Sequence, residues 1–123
     1  MSPTFTQIAG HYAIVRLQAD AAIPQWAHGA FVSITRTSDE LSIVCNEGGV
    51  PDVVADRGWC CLKLAGPFPL DQTGVAAAFT RVLADAGIAL FVISTYDTDY
   101  VLVRDAALKD ASTALRAAGY IVR

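Results

Sequence analysis

Two segments of this sequence end in almost the same way, and that likeness limits the folds open to the chain. Residues 83–87 read Leu-Ala-Asp-Ala-Gly, and residues 115–119 read Leu-Arg-Ala-Ala-Gly. Each follows an apolar stripe at helical spacing, and each closing glycine stands where a left-handed residue commonly ends a helix. The sequence therefore predicts two helices in equivalent places of a repeat, the second over about residues 106–118. The stripe of the first helix consists of Val75, Ala78, Phe79, Val82, Leu83 and Ala86.

Strand-like segments flank both helices. Apolar, β-branched or aromatic residues dominate 59–65, 88–94, 100–103 and 120–122. A polar turn at residues 95–98 predicts a hairpin between the second and third of these strands, and Thr73 is the predicted N-cap of the first helix. The order strand, helix, strand, strand, helix, strand predicts an α+β, ferredoxin-like βαββαβ fold. Both helices should cover one face of an antiparallel sheet.

The N-terminal half carries a weaker version of the same pattern. It predicts a strand over 12–17 and a hairpin from 31–35 and 41–45, and a short helix over 51–56 with Pro51 at its first position. Sustained helical periodicity is lacking between the first strand and the hairpin. We therefore predict two tandem units. Residues 1–58 form a degenerate copy without its first helix, and residues 59–123 form the complete unit.

Composition narrows the possible partners and the compartment. Asp and Glu total 12 against 9 Lys and Arg, and the basic residues are scattered, unlike the clustered positive charge of nucleic-acid-binding surfaces. No apolar run approaches the roughly 20 residues of a membrane span. The first residues lack the basic and apolar regions of a signal peptide. We expect a cytoplasmic protein that binds neither nucleic acid nor membranes.

The apolar content predicts a homodimer. Hydrophobic residues make up 54% of the 123 residues, above the roughly 45–50% usual in soluble domains. A chain this short leaves a large share of its surface exposed. We therefore expect one apolar face to be buried against a second copy.

Residues able to do chemistry are few. Cys45, Cys60 and Cys61 lack the paired spacing of disulfide frameworks or metal knuckles, and buried structural thiols are the expected state. His11 and His28 have no partner at metal-ligand spacing. No phosphate-binding loop, dinucleotide fingerprint or nucleophile elbow is present. A pair of Cys60 with either histidine stays open, but no other feature favours catalysis. We expect a non-enzymatic protein without a cofactor or a metal.

Two polar clusters interrupt the apolar segments, and each has two interpretations. Residues 66–74 precede the first helix, whose free N–H groups would donate hydrogen bonds to a carboxylate; the competing interpretation is a simple loop with a Thr or Asp cap. Residues 94–99 contain Asp97 and Asp99, which would bind an ammonium group through charge-assisted hydrogen bonds. Asx and Ser/Thr turns use the same residue types merely to close hairpins. The residues alone leave both interpretations open.

The stretch from Gly87 to Val103 resembles the ACT domain family, in particular the branch of CASTOR-type arginine sensors and small bacterial ACT proteins. Its core is Ser-Thr-Tyr-Asp-Thr-Asp at 94–99, preceded by Gly-Ile and an apolar strand. The resemblance covers residues 59–122, and a weaker one covers 31–47. It implies the same βαββαβ fold. It also implies a regulatory module that binds a free amino acid or a similar small metabolite at an interface between ACT units, with an unidentified protein as its regulated partner.

The resemblance also implies a binding site. One side is expected from the hairpin, with Asp99 holding the cationic group of the ligand, and the other from the start of the first helix, whose amides would hold a carboxylate. The competing interpretation is an ACT-fold interaction protein that binds no ligand. The predicted ligand-binding residues are Thr73, Gly74, Val75, Thr95, Tyr96, Asp97, Thr98 and Asp99.

Overall fold

The structure, a computed structural model, describes residues 3–123, which form two compact units. The first unit contains residues 3–8 and 60–123, and the second unit is Ala9–Trp59. The first unit thus takes a segment from each end of the chain, whereas the sequence prediction began it at residue 59. The strands are β1 (Thr4–Leu17), β2 (Ser33–Arg36), β3 (Leu41–Asn46), β4 (Ala55–Leu64), β5 (Leu90–Ser94), β6 (Asp99–Arg104) and β7 (Ile121–Val122). The α-helices are α1 (Val75–Asp85) and α2 (Leu108–Ala117).

In the first unit the elements follow the order β4, α1, β5, β6, α2, β7, which confirms the predicted α+β, βαββαβ fold. Its strands lie in the order β7, β1, β4, β6, β5. The β5–β6 hairpin is antiparallel, and its last pair before the turn is Ser94 opposite Asp99. Strand β7 pairs in parallel with Thr4 and Phe5 of β1. No helix within residues 3–123 is both long and apolar enough to cross a membrane.

One apolar core lies between the two helices and one face of this sheet. The ring of Phe5 meets the ring of Phe79 edge to face, with centroids 5.4 Å apart, an arrangement that aromatic pairs prefer. Both helices contribute side chains to it, so both cover the same face, as predicted. The buried members of the core are Phe5, Leu62, Leu64, Phe79, Leu83, Ile88, Val101, Val103, Ala111 and Leu115.

The helix ends test the sequence prediction in detail. Gly87 and Gly119 adopt left-handed φ angles of 73° and 99° after their helices, which confirms the predicted stops. The predicted cap at Thr73 is wrong: Gly74, with φ of 83°, caps α1 without a side-chain hydrogen bond. Glycine takes this conformation without the steric cost that a Cβ would bring. Helix α2 begins two residues later than predicted, after a 3₁₀ turn at Asp105–Ala107.

The second unit is built around β3, which pairs antiparallel with β1 on one side and β2 on the other. The predicted hairpin is confirmed, and the Thr37 N–H donates to the Glu40 carbonyl across its turn at 2.9 Å. The predicted short helix at 51–56 is wrong. A 3₁₀ turn forms earlier, at Glu47–Gly49, because the side chain of Asn46 accepts the Gly48 N–H. The buried core here is Ala13, Val15, Leu41, Ile43, Cys45 and Val50.

Candidate functional site

A cavity of about 270 Å³ opens in the first unit beside the start of α1. Its walls come from the loop between β4 and α1, from the first turn of α1, and from the turn between β5 and β6. Seven of the eight predicted residues line it; Thr73 does not. The lining residues are Phe68, Pro69, Leu70, Gln72, Gly74, Val75, Ala76, Ala77, Ser94, Thr95, Tyr96, Asp97, Thr98 and Asp99.

Thr98 fixes the β5–β6 turn to the end of β4. Its hydroxyl donates to the Leu64 carbonyl at 2.6 Å, and its side chain is buried. Its carbonyl accepts both the Thr95 N–H, at 2.8 Å, and the Thr95 hydroxyl, at 3.0 Å. The Thr98 hydroxyl is therefore engaged in holding the wall of the cavity.

The two loops that form the cavity are also joined through their backbones. The Phe68 N–H donates to the Asp97 carbonyl at 2.7 Å. A Cβ on Gly66 would lie 2.8 Å from that same carbonyl oxygen and 3.0 Å from the Cβ of Thr98. Only glycine lets the chain run this close, because real Cβ contacts at such distances are essentially absent. The β4–α1 loop and the β5–β6 turn thus form one packed wall.

Asp99 presents a positioned carboxylate. Ser94 lies opposite it in the hairpin, and the Ser94 hydroxyl donates to Asp99 Oδ1 at 2.5 Å. Asp99 is half-buried, whereas Asp97 is exposed. Among the described lining residues two are carboxylates and none is Lys, Arg or His. The cavity is therefore negatively charged on its hairpin side and has no cation of its own to neutralise it.

The first turn of α1 provides the opposite polarity. The first intrahelical bond runs from the Ala78 N–H to the Gly74 carbonyl at 3.0 Å. The N–H groups of Val75, Ala76 and Ala77 therefore have no acceptor inside the helix, and the cap residue has no side chain to supply one. All three residues line the cavity. Free N–H groups and the positive end of the helix dipole favour an anion at this place.

The sequence prediction missed part of the lining. Ala76 and Ala77 belong to the site because α1 begins at Val75, so a helix start placed by its glycine cap would have found them. Phe68 and Leu70 lie in the proline-bounded loop, and only their apolar character in a polar segment marked them.

The cysteines lie outside this cavity, and burial makes Cys45 and Cys61 poor nucleophiles. Burial, and to a smaller extent the adjacent Cys60, raise the pKa of the Cys61 thiol to about 12. Burial likewise raises the pKa of Cys45. The Cys60 thiol donates to a carboxylate oxygen of Asp105 at 3.3 Å. Thiolates are the reactive form of cysteine, so raised pKa values keep Cys45 and Cys61 protonated and unreactive.

A family model described as an ACT domain matches residues 54–117, more than half of the chain. This chain belongs to the ACT domain family. The matched region spans β4 to α2 and includes the first turn of α1, the β5–β6 turn and most of the ACT unit's core. A second model, which describes an N-terminal domain, matches residues 10–53.

Relatives of this ACT-domain chain include sensors and a bacterial protein. The human protein CASTOR3P is 33% identical over 87 residues, 59% of this chain and 53% of the relative. The cytosolic arginine sensor for mTORC1 subunit 1 of Bos taurus is 26% identical over 95 residues, 68% of this chain and 29% of the relative. The chain thus spans about half or less of these relatives. Protein Atu0741 of Agrobacterium tumefaciens has a crystal structure that matches with a TM-score of 0.93 and 45% identity, over 100% of this chain and 93% of that one.

Proposed function

We propose that this chain is a non-enzymatic regulatory module that binds a free amino acid, or a similar small metabolite, in the cavity beside α1. The observation that carries the proposal is that the Asp99 carboxylate and the unpaired N–H groups at the start of α1 line one cavity. A cavity of about 270 Å³ lies just below the range typical of drug-sized ligands. It suits a molecule of amino-acid size.

The two ends of the cavity complement the two charges of a zwitterion. An α-ammonium group would donate charge-assisted hydrogen bonds to Asp99, which is half-buried and already oriented by Ser94. An α-carboxylate would accept from the free amides of Val75 and Ala76. Among residues 3–123 no Lys or Arg forms an ion pair with Asp99. A ligand cation would therefore meet a carboxylate that has no competing counter-ion.

The relatives support the same proposal and give a first ligand to test. The Bos taurus relative is named a cytosolic arginine sensor, so arginine belongs in any screen. Its name also supports a cytosolic location for this chain. Because the chain spans only 29% of that sensor, we propose only the binding of an amino acid and the transmission of its bound state to a partner protein.

We also propose that the module is a homodimer. Strand β5 ends the strand order of the first unit, and Leu90, Phe91, Val92 and Ile93 on it are apolar and only half-buried. Such an edge carries none of the charges or prolines that usually protect exposed strands. A groove beside it is lined by Ala77, Thr80, Arg81, Ala84 and Leu90. Ala77 lines both this groove and the ligand cavity, so a second copy seated here would lie next to the ligand.

Light scattering after gel filtration tests the dimer. Wild-type protein should elute at twice the chain mass of 13.0 kDa, and Ile93→Lys should shift it toward the monomer. Ile34→Lys is the matched control, because Ile34 lies on β2, the edge strand of the second unit, and is 40% exposed. A wild-type monomer at all concentrations would contradict the dimer proposal.

A thermal-shift screen against the twenty common amino acids tests the ligand proposal. A ligand that binds only the folded state adds RT ln(1 + [L]/Kd), about 2.7 kcal/mol at one hundred times Kd. We expect at least one amino acid to raise the melting temperature, with isothermal calorimetry confirming one site per chain. A flat screen, repeated by calorimetry, would favour the interaction protein without a ligand.

A further inference from the structure

We propose that Leu70 and Tyr96 form an apolar rim that selects amino acids with long aliphatic side chains. This inference rests on the proposed function, because it concerns the ligand of the same cavity. It names the side-chain class, which the Asp99 and helix contacts leave open, since every amino acid carries the same ammonium and carboxylate groups. Of the two rim residues, Leu70 has no counterpart in the predicted site.

Among the described residues of the first unit, the two rim residues are the most exposed large apolar side chains. Leu70 is 70% exposed and Tyr96 is 78% exposed, yet both line the cavity. Leu70 comes from the β4–α1 loop and Tyr96 from the β5–β6 turn. Single exposed apolar residues are ordinary on a protein surface. Two large ones from separate loops at one cavity form an apolar surface that a ligand can cover.

The inner part of the same wall is also apolar. Phe68 is half-buried, lines the cavity, and packs against the core of the first unit. The Phe68 N–H is held by the Asp97 carbonyl, so the loop that carries Leu70 is attached to the turn that carries Tyr96. The cavity therefore has a polar side at Asp99 and an apolar side at Phe68, Leu70 and Tyr96. A ligand that fills both sides has a charged head and a hydrocarbon chain.

The charge of the cavity sets a second limit on the side chain. Its described lining contains two carboxylates and no basic side chain. A side-chain carboxylate or phosphate would meet repulsion from Asp97 and Asp99 without a compensating cation. The expected class is therefore an amino acid whose long side chain is neutral or cationic, and aspartate, glutamate and phosphorylated amino acids are rejected.

Calorimetry with a straight-chain series measures the selection directly. The ligands are alanine, 2-aminobutyrate, norvaline and norleucine, which differ by one methylene each, with glutamate as the acidic comparison. Full burial of a methylene is worth up to about a fourfold gain in affinity. We expect the affinity of the wild type to rise along the series by about two- to fourfold per step, and glutamate to bind at least tenfold more weakly than norvaline.

The variants Leu70→Ser and Tyr96→Ser should flatten this rise, because norleucine should lose more affinity than alanine does. Val54→Ser is the matched control, because Val54 is 72% exposed, belongs to the second unit and does not line the cavity. Melting temperatures of the three variants should stay within a few degrees of the wild type, since all three side chains are exposed. Leu70→Ala provides a milder second test of the rim.

The outcomes separate this inference from the function on which it rests. If the wild type binds none of the series and no other amino acid, the proposed function itself is wrong. If amino acids bind but affinity does not rise with chain length, or if the rim variants keep the same rise, then the rim does not select the ligand. Tight glutamate binding would equally overturn the inferred class.

Discussion

Ser94 and Asp99 face each other as the last pair of the β5–β6 hairpin, and the Ser94 hydroxyl donates to Asp99 Oδ1 at 2.5 Å. A carboxylate held in this way loses little rotational freedom when it binds a cation, so more of the interaction is available for affinity. The pair also stands at the point where the hairpin meets the cavity. The orientation of Asp99 is thus fixed by the strand register before any ligand arrives.

The first prediction concerns Asp99→Asn. Asparagine keeps an oxygen for the Ser94 hydroxyl but removes the charge that would hold an ammonium group. A hydrogen bond to a charged group contributes about 1.5–3 kcal/mol, so the affinity for the amino acid found in the screen should fall about ten- to hundredfold. The melting temperature without ligand should change little. Calorimetry and a thermal scan measure the two quantities.

Asp71→Asn is the control for this substitution. Asp71 is exposed and lies in the β4–α1 loop, but it does not line the cavity. Its loss should leave binding unchanged. If Asp99→Asn binds the amino acid as well as the wild type does, Asp99 does not hold the ligand. If its melting temperature without ligand falls by several degrees, Asp99 stabilises the hairpin.

A second prediction concerns the buried hydroxyl of Thr98. Thr98→Val preserves the shape but leaves the Leu64 carbonyl without its donor, a loss that typically costs about 1–3 kcal/mol. Thr98→Ser keeps the hydroxyl and should lose much less. Urea unfolding followed by circular dichroism compares the two. Equal stability of the valine and serine variants would show that the 2.6 Å bond contributes nothing.

A third prediction concerns the close approach at Gly66. In Gly66→Ala the new Cβ would lie 2.8 Å from the Asp97 carbonyl oxygen, so the two loops must separate. Overpacking of this kind costs about 1–3 kcal/mol, and the displaced walls should also weaken ligand binding. Gly49→Ala is the control, because its nearest neighbour would lie at an ordinary 3.4 Å. If Gly66→Ala is as stable and binds as well as Gly49→Ala, the loops are not coupled.

A fourth prediction follows from the protonation of Cys61. Burial raises the pKa of this thiol from 9.0 to about 12, so between these values the unfolded chain releases a proton that the folded chain keeps. The stabilisation is complete below about pH 9 and is lost as the pH rises toward 12. Wild-type protein should lose more unfolding free energy between pH 8 and pH 10 than Cys61→Ala does. Identical losses would contradict the raised pKa.

The βαββαβ order could be predicted because the sequence signals for its helices and its hairpin are local. The apolar stripe marks α1 by residues three and four positions apart. Gly87 and Gly119 each mark the end of the helix that directly precedes them. The hairpin register follows from one polar turn between two apolar strands. The prediction of the N-cap was wrong for a physical reason. Thr73 has the better capping side chain, but α1 begins from a left-handed backbone conformation, which Gly74 adopts.

The site was predictable in part. The motif at 94–99 led to the residues that line the cavity, and whether they touch a ligand stays a prediction. No local sequence pattern distinguishes the environments of the two threonines. Thr98 is buried and its hydroxyl donates to the Leu64 carbonyl, whereas Thr95 is exposed. Leu70 was missed because it belongs to a loop without periodicity, whereas Tyr96 was among the predicted residues. The start of β1 was missed because its partner, β7, lies at the opposite end of the chain.

The last prediction tests whether the N-terminal residues belong to the first unit. The side chain of Phe5 is fully buried, and its ring contacts Phe79 and Tyr120 with both centroids at 5.4 Å. Phe5→Ala should therefore cost about 3–5 kcal/mol, as is usual for a buried phenylalanine. Gln7→Ala, two residues along the same strand and exposed, should change stability by no more than about 0.5 kcal/mol.

Because Phe5 packs on the core under α1, its loss should also weaken ligand binding, and hydrogen exchange should rise in α1 and α2. If Phe5→Ala and Gln7→Ala have the same free energy of unfolding, residues 3–8 do not contribute to the stability of the first unit.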